Sequence, residues 1–227
     1  MIINYIFKYL VMILMVLFFS SCGKKANQQL AQSYYKMSLL ELNDFSNQNS
    51  YRKSLEYINK ALVQHEKAEY LALKATLLLK LNYKDEGLNF FDKALLANPT
   101  SQVKADILNN KACLLAQIAM KENDIKKLDQ AIDIWFSLQN DKNYLTPEVA
   151  FVNSGKAYFY KKDYQKVKEL LLAALKLSPG YLDAHYYLAY DAFILKDFSL
   201  ATKEIQTVLY LEPNHEGAKE LLKFLQN

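Results

Sequence analysis

The sequence predicts an all-α protein: a right-handed superhelix of about five helical hairpins, closed by a C-terminal capping helix. Three observations carry this expectation. Between Thr146 and Pro213 one pattern is written twice. Phe151-x2-Ser154-Gly155-x2-Tyr158, Tyr164, Val167-x3-Leu171, Ala174 and Pro179 reappear as His185-x2-Leu188-Ala189-x2-Ala192, Phe198, Ala201-x3-Ile205, Val208 and Pro213. The chain of 227 residues is 52% hydrophobic yet holds only 5 Gly and 4 Pro, too few breakers for a sandwich or barrel. A single such hairpin cannot bury its apolar face, so more of the same is expected on either side.

The spacing has physical reasons. Gly155 and Ala189 are small where the two helices of a hairpin cross, and Leu171 and Ile205 fill the space beside the crossing. Ala174 is small where the second helix meets the next hairpin. Pro179 and Pro213 stop that helix, because proline has no backbone N–H to donate. The two prolines lie 34 residues apart. This period, with its small, large and proline positions, resembles the tetratricopeptide repeat. The tryptophan position of that repeat is degenerate here.

From the N-terminus, residues 1–21 read as a lipoprotein signal peptide. Lys8 is their only charge, Leu10 to Phe19 is unbroken apolar, and Ser20-Ser21-Cys22 follows. The ending resembles a lipobox, which implies that Cys22 is lipidated and becomes the new N-terminus. Several acyl chains give durable membrane attachment. Gly23 and Lys24 follow Cys22 where an inner-membrane retention signal would place Asp, which leans towards the outer membrane. Residues 22–26 are then a lipidated tether. With Cys22 modified, Cys113 has no partner for a disulfide; its place in an apolar helical pattern makes it a packing residue.

Five repeats are expected over 27–66, 67–100, 101–146, 147–180 and 181–214, with a cap over 215–227. In the first, Gln28 to Leu42 is one helix with Ser38 at the crossing. Asn43 to Ser50 is a polar loop, and Tyr51 to Gln64 is the second helix. The second repeat is regular, from Leu71 through Ala75, Gly87, Phe91 and Ala94 to Pro99. The third is stretched by seven residues around Lys121 to Leu128, as two extra helical turns or as a loop. Trp135, the only tryptophan, packs in its core. Thr146-Pro147 opens the fourth as N-cap and first helical residue. Leu221, Leu222 and Leu225 give the last helix one apolar face, suited to covering the end of a solenoid.

Composition excludes several classes of function. The formal charge of +4 comes from interleaved Lys and Glu, so nucleic acid is not implied. None of the 3 histidines has ligands at a metal-binding spacing on one helical face. No phosphate loop, dinucleotide fingerprint or nucleophile elbow is present. The expectation is a non-enzymatic protein with no cofactor, no metal and no small-molecule substrate.

The face that such a superhelix leaves open is lined from the first helix of each repeat. The candidate groove residues are Tyr35, Asn109, Val152, Lys156, Phe159, Tyr160, Tyr186 and Tyr190. Aromatic residues there suit a peptide or helix laid in a groove. The competing reading packs some of them between repeats or under the capping helix; Phe193 and Ile194 are expected to be buried.

The chain as a whole resembles the type IV pilus biogenesis and stability lipoproteins, the pilotins of the PilF, PilW and Tgl type. The resemblance rests on a lipobox cysteine directly before an array of repeats, on Asn109-Asn110, and on the joint Asn143-Tyr144-Leu145-Thr146-Pro147-Glu148-Val149-Ala150 followed by Asn153-x-Gly155. Ser154 departs from the usual Leu, and the stretched third repeat is a second departure. The resemblance implies a lipid-anchored, periplasm-facing protein of the outer membrane that binds secretin subunits and promotes their assembly. The alternative is a general scaffold with the same fold and anchor, serving outer-membrane protein assembly or cell-wall machinery.

Overall fold

The computed structural model describes residues 25–42 and 48–226. The expected signal peptide, Cys22 and the start of the expected tether lie outside them. Residues 25 and 26, expected in the tether, are already helical. Among the described residues all regular structure is helical, and none of the helices is long and apolar enough to cross a membrane. The described residues fall into two compact units, divided between Pro99 and Thr100.

The first unit contains α1 (residues 25–41), α2 (Gln48–Gln64), α3 (Ala68–Lys80) and α4 (Lys84–Leu96). Its core gathers Ala31, Ile58, Ala61, Tyr70 and Leu77. The crossing of α1 and α2 is made by two serines. Ser38 Oγ donates to the Ser54 carbonyl and Ser54 Oγ to that of Ser38, each at 2.9 Å, with the two hydroxyls 2.8 Å apart. Small side chains bring the backbones close, and the reciprocal bonds satisfy the buried hydroxyls. α2 starts at Gln48, ahead of the expected Tyr51: Ser50, read as loop, is helical and buried.

The second unit contains α5 (Ser101–Glu122), α6 (Ile125–Gln139), α7 (Pro147–Tyr160), α8 (Tyr164–Leu177), α9 (Leu182–Ile194), α10 (Phe198–Leu211) and α11 (Glu216–Gln226). The extra residues of the third repeat extend α5 to 22 residues; helix, not loop, absorbs them. Asn123, at φ 55°, then ends α5, and the Asp124 side chain caps α6 by accepting from Lys127 N at 3.1 Å. Pro147 takes the first position of α7, but Thr146 makes no capping bond. Its ψ of 58° differs from the 158° of Thr100, whose hydroxyl does accept from Val103 N at the start of α5.

Two clusters form the core of this unit. Val152, Val167, Leu171, Ala174, Ala184 and Leu188 join α7, α8 and α9. Ala189, Ile205, Val208, Ala218 and Leu221 join α9, α10 and α11, so the last helix covers the end of the fifth hairpin. Gly155 lies where α7 meets α8: a Cβ there would stand 3.0 Å from Leu171 Cδ2.

The turns inside the hairpins repeat one device. Asp163 N donates to Tyr158 O and Lys162 N to Phe159 O; Asp197 N donates to Ala192 O and Lys196 N to Phe193 O. These paired bonds are a Schellman motif, with Lys162 and Lys196 left-handed at φ 62°. The next residue begins the following helix. Asp163 accepts from Lys166 N and Asp197 from Leu200 N. Asn82 and Tyr83 form the same turn in the first unit, without a side-chain cap.

Candidate functional site

In the second unit α7 packs against α5 and α9 as well as its hairpin partner α8. The first helices of three successive repeats therefore lie side by side and share one face. Along it runs a line of polar groups. Asn109 Oδ1 on α5 accepts from Trp135 Nε1 at 3.1 Å and from Asn153 Nδ2 at 3.4 Å. Asn153 also reaches Cys113 Sγ at 3.6 Å. On the next turn of α7, Lys156 Nζ donates to Asp183 Oδ2 on α9 at 2.5 Å and stands 4.7 Å from the Tyr187 ring centroid.

Beyond Lys156 the face becomes aromatic. Phe159 makes edge contacts with Tyr164, Tyr187 and Tyr190, at centroid separations of 5.8, 6.3 and 5.7 Å. Tyr186 continues the series to Tyr187, Tyr190 and His215. Tyr190 is 39% exposed and Tyr160 36%, while Phe159 and Tyr186 are half-buried. The Tyr160 hydroxyl donates to Met120 O at 3.2 Å and lies 3.2 Å from Asn123 Oδ1, which ties α7 to the extended end of α5.

The structure thus gathers Asn109, Lys156, Phe159, Tyr160, Tyr186 and Tyr190 on one unit. Val152 must be removed from the set. It is 1% exposed and lies in the core with Leu171 and Leu188, because its direction from α7 faces the hairpin crossing. Asn109 belongs to the face, but its carbonyl oxygen is occupied by Trp135 and Asn153. Tyr35 sits in the first unit, stacked on Tyr70 at 4.8 Å near Gln32, whose Oε1 accepts from the Tyr70 hydroxyl. Burial, with Glu69 nearby, pushes the Tyr35 phenol up. Ile194, expected inside, is 37% exposed.

Burial pushes the Cys113 thiol up despite the counteracting Lys156, which disfavours the thiolate a nucleophile would need. His185 is held by structural contacts, with Nδ1 2.5 Å from Glu204 Oε2 and Nε2 2.8 Å from Pro179 O. No group of three or more metal-binding side chains occurs among the described residues.

The tetratricopeptide repeat matches this sequence over residues 68–101 and 149–181. The all-helical fold is that of a tetratricopeptide-repeat superhelix. Solved structures with such repeats share its fold at low identity. PilF of Pseudomonas aeruginosa is 16% identical, with a TM-score of 0.72 over 88% of this chain and 84% of PilF. PilW, a widely conserved type IV pilus biogenesis factor, is 18% identical, with a TM-score of 0.62 over 89% of this chain and 92% of PilW. The APC/C hetero-tetramer Cut9–Hcn1 is 17% identical, with a TM-score of 0.66 over 88% of this chain and 36% of that one, so this chain spans about a third of its length. At these identities the likeness speaks for the fold alone. No curated protein matches the sequence. Tetratricopeptide-repeat proteins serve as scaffolds whose extended surfaces hold protein partners.

Three features of this repeat protein escaped the sequence reading. Asn153 is the hinge of the polar line, legible only as a neighbour of the small crossing residue. Tyr187 supplies the ring under Lys156. Asp191, on α9, is a buried acid: neither carboxylate oxygen has a hydrogen-bond partner, and burial pushes its pKa up to about 6, with Lys168 acting against the rise. The repeat register could have found it. The equivalent positions on α3, α5 and α7 hold Leu77, Leu114 and Ala157, all buried.

Proposed function

We propose that this chain is a lipid-anchored, non-enzymatic scaffold of the bacterial cell envelope, acting as a pilotin that promotes secretin assembly in type IV pilus biogenesis. The observation that carries partner binding is the polar-to-aromatic face from Asn109 to Tyr190, displayed by three adjacent helices. Rigid aromatic rings beside a charged pair suit the docking of an extended or helical segment of another protein. The lipobox ending at Cys22, directly before the repeats, supports attachment to the outer membrane with the repeats in the periplasm. The role of PilW as a type IV pilus biogenesis factor supports the choice of a secretin as partner. Tethering raises the effective concentration of scaffold and partner at the membrane, so modest groove affinity suffices.

The test is capture from detergent-solubilised membranes with the lipidated protein as bait. Recovery of a secretin is expected. Lys156→Ala combined with Tyr190→Ala, both on the open face, should weaken the complex by at least tenfold, about 1.4 kcal/mol or more, while the far-ultraviolet dichroism stays helical. Capture of barrel-assembly or cell-wall components without secretin would replace the pilotin by a general envelope scaffold.

A further inference from the structure

α11 does more than close the fold. Its Gly217 meets the Tyr186 phenol so closely that a Cβ there would stand 2.5 Å from the hydroxyl oxygen. This approach holds Tyr186 across the start of α11, with its ring 4.7 Å from that of His215. The rest of α11 stands away from α9 and leaves a cleft of about 380 Å³ between them. Tyr186, Tyr190 and Phe193 form the α9 wall; Phe224 and Glu220 form the α11 wall.

The walls are not a plain apolar surface. The Tyr186, Tyr190 and Phe193 rings, inclined to one another at 46° and 53°, line the cleft together. Phe224 opposes them and is 62% exposed. Burial above all, then the neighbouring Tyr190 and Tyr187 and last the Glu220 charge, pushes the Tyr186 phenol up. Among the described residues Glu220 has no ion-pair partner. Lys219 and Lys223 do not line this cleft; with Glu220 and Phe224 they line a neighbouring groove, and Lys219 Nζ donates to Asn214 Oδ1 at 3.2 Å. Electron-rich ring faces around one unpaired carboxylate complement a positive charge on an alkyl stem.

We infer that the α9–α11 cleft is a receptor for a cationic side chain, lysine or arginine, of a bound protein partner. The stem lies against Tyr190, Phe193 and Phe224, and the charged head sits among the rings beside the Glu220 carboxylate. This deepens the scaffold reading and rests on it for the source of the cation; the cleft itself can be tested without a partner.

The experiment is a titration of the isotope-labelled full chain in detergent micelles, followed by amide correlation spectra. The probes are the N-acetyl amides of lysine, arginine and norleucine. Lysine and arginine probes should shift the Tyr190, Gly217 and Phe224 signals saturably, about fivefold more tightly than the uncharged norleucine probe. Glu220→Gln, at an exposed helical position, should reduce that preference to roughly twofold or less. Equal binding of the norleucine probe, an undiminished preference in Glu220→Gln, or no saturable shift at all would overturn the proposal. Membrane capture separates the two readings. A lysine preference without any captured partner upholds the cleft and removes the scaffold, whereas a captured partner with no lysine preference overturns the cleft alone.

Discussion

At the scale of single residues, Asp191 is the group most at odds with its surroundings. It occupies a core position with neither oxygen satisfied, so its ionised form is destabilised by lost hydration. A carboxyl raised to about 6 in the folded state binds more protons there than in the unfolded chain, between the ordinary aspartate range and pH 6. Its contribution to stability is therefore full at low pH and is lost as pH rises through 6. The parent chain should be more resistant to urea at pH 5 than at pH 7.5. Asp191→Asn should flatten that dependence and gain roughly 1–3 kcal/mol at pH 7.5. Equal pH profiles for parent and variant would show that the carboxylate finds compensation in solution.

At the scale of the element, the turns show how one chain solves the same local problem several times. A left-handed residue ends one helix, and an aspartate caps the next. Asp124, Asp163 and Asp197 each accept from the backbone N–H three residues on. Tyr83 holds the equivalent place before α4 but supplies no oxygen to that helix. Tyr83→Asp should stabilise the first unit by about 1 kcal/mol, read as a higher urea midpoint at unchanged slope. The hairpin crossings follow the same economy of space with different residues: a serine pair between α1 and α2, and Gly155 against Leu171 between α7 and α8. These small positions were legible because helical periodicity and the 34-residue period place them without knowledge of their partners. The cap at Thr146 was misread because composition alone does not set the backbone angles that aim a hydroxyl.

At the scale of the whole molecule, each unit has its own core, and the second is closed by α11. Ala218 and Leu221 of that helix complete the cluster of Ala189, Ile205 and Val208. A chain ending at Asn214 would expose that cluster to water. It should lose about 3–5 kcal/mol, a fall in melting temperature of roughly 10 °C, and self-associate on size exclusion. A monomer with an unchanged melt would show that α11 contributes little burial. The same helix carries one wall of the cationic cleft, so this truncation also removes the binding feature, whereas Glu220→Gln leaves the cap in place.

By itself the sequence determined the helical content, the hairpin register, the small residues at the crossings and the role of α11 as a cap. Those features follow from interactions three or four residues apart and from a repeated period, both of which are written locally. Only the tertiary structure decided which residues of the first helices stay open. Val152 points into a crossing, Asn109 gives its oxygen to Trp135 and Asn153, and Tyr35 belongs to a different unit from the other candidates. It also decided that Asp191 has no partner, and that α11 closes on Tyr186 yet stands away from Tyr190. The reason is physical: a helix fixes the direction of each side chain, but exposure and hydrogen-bond partners depend on neighbours that arrive from 26 to 44 residues away.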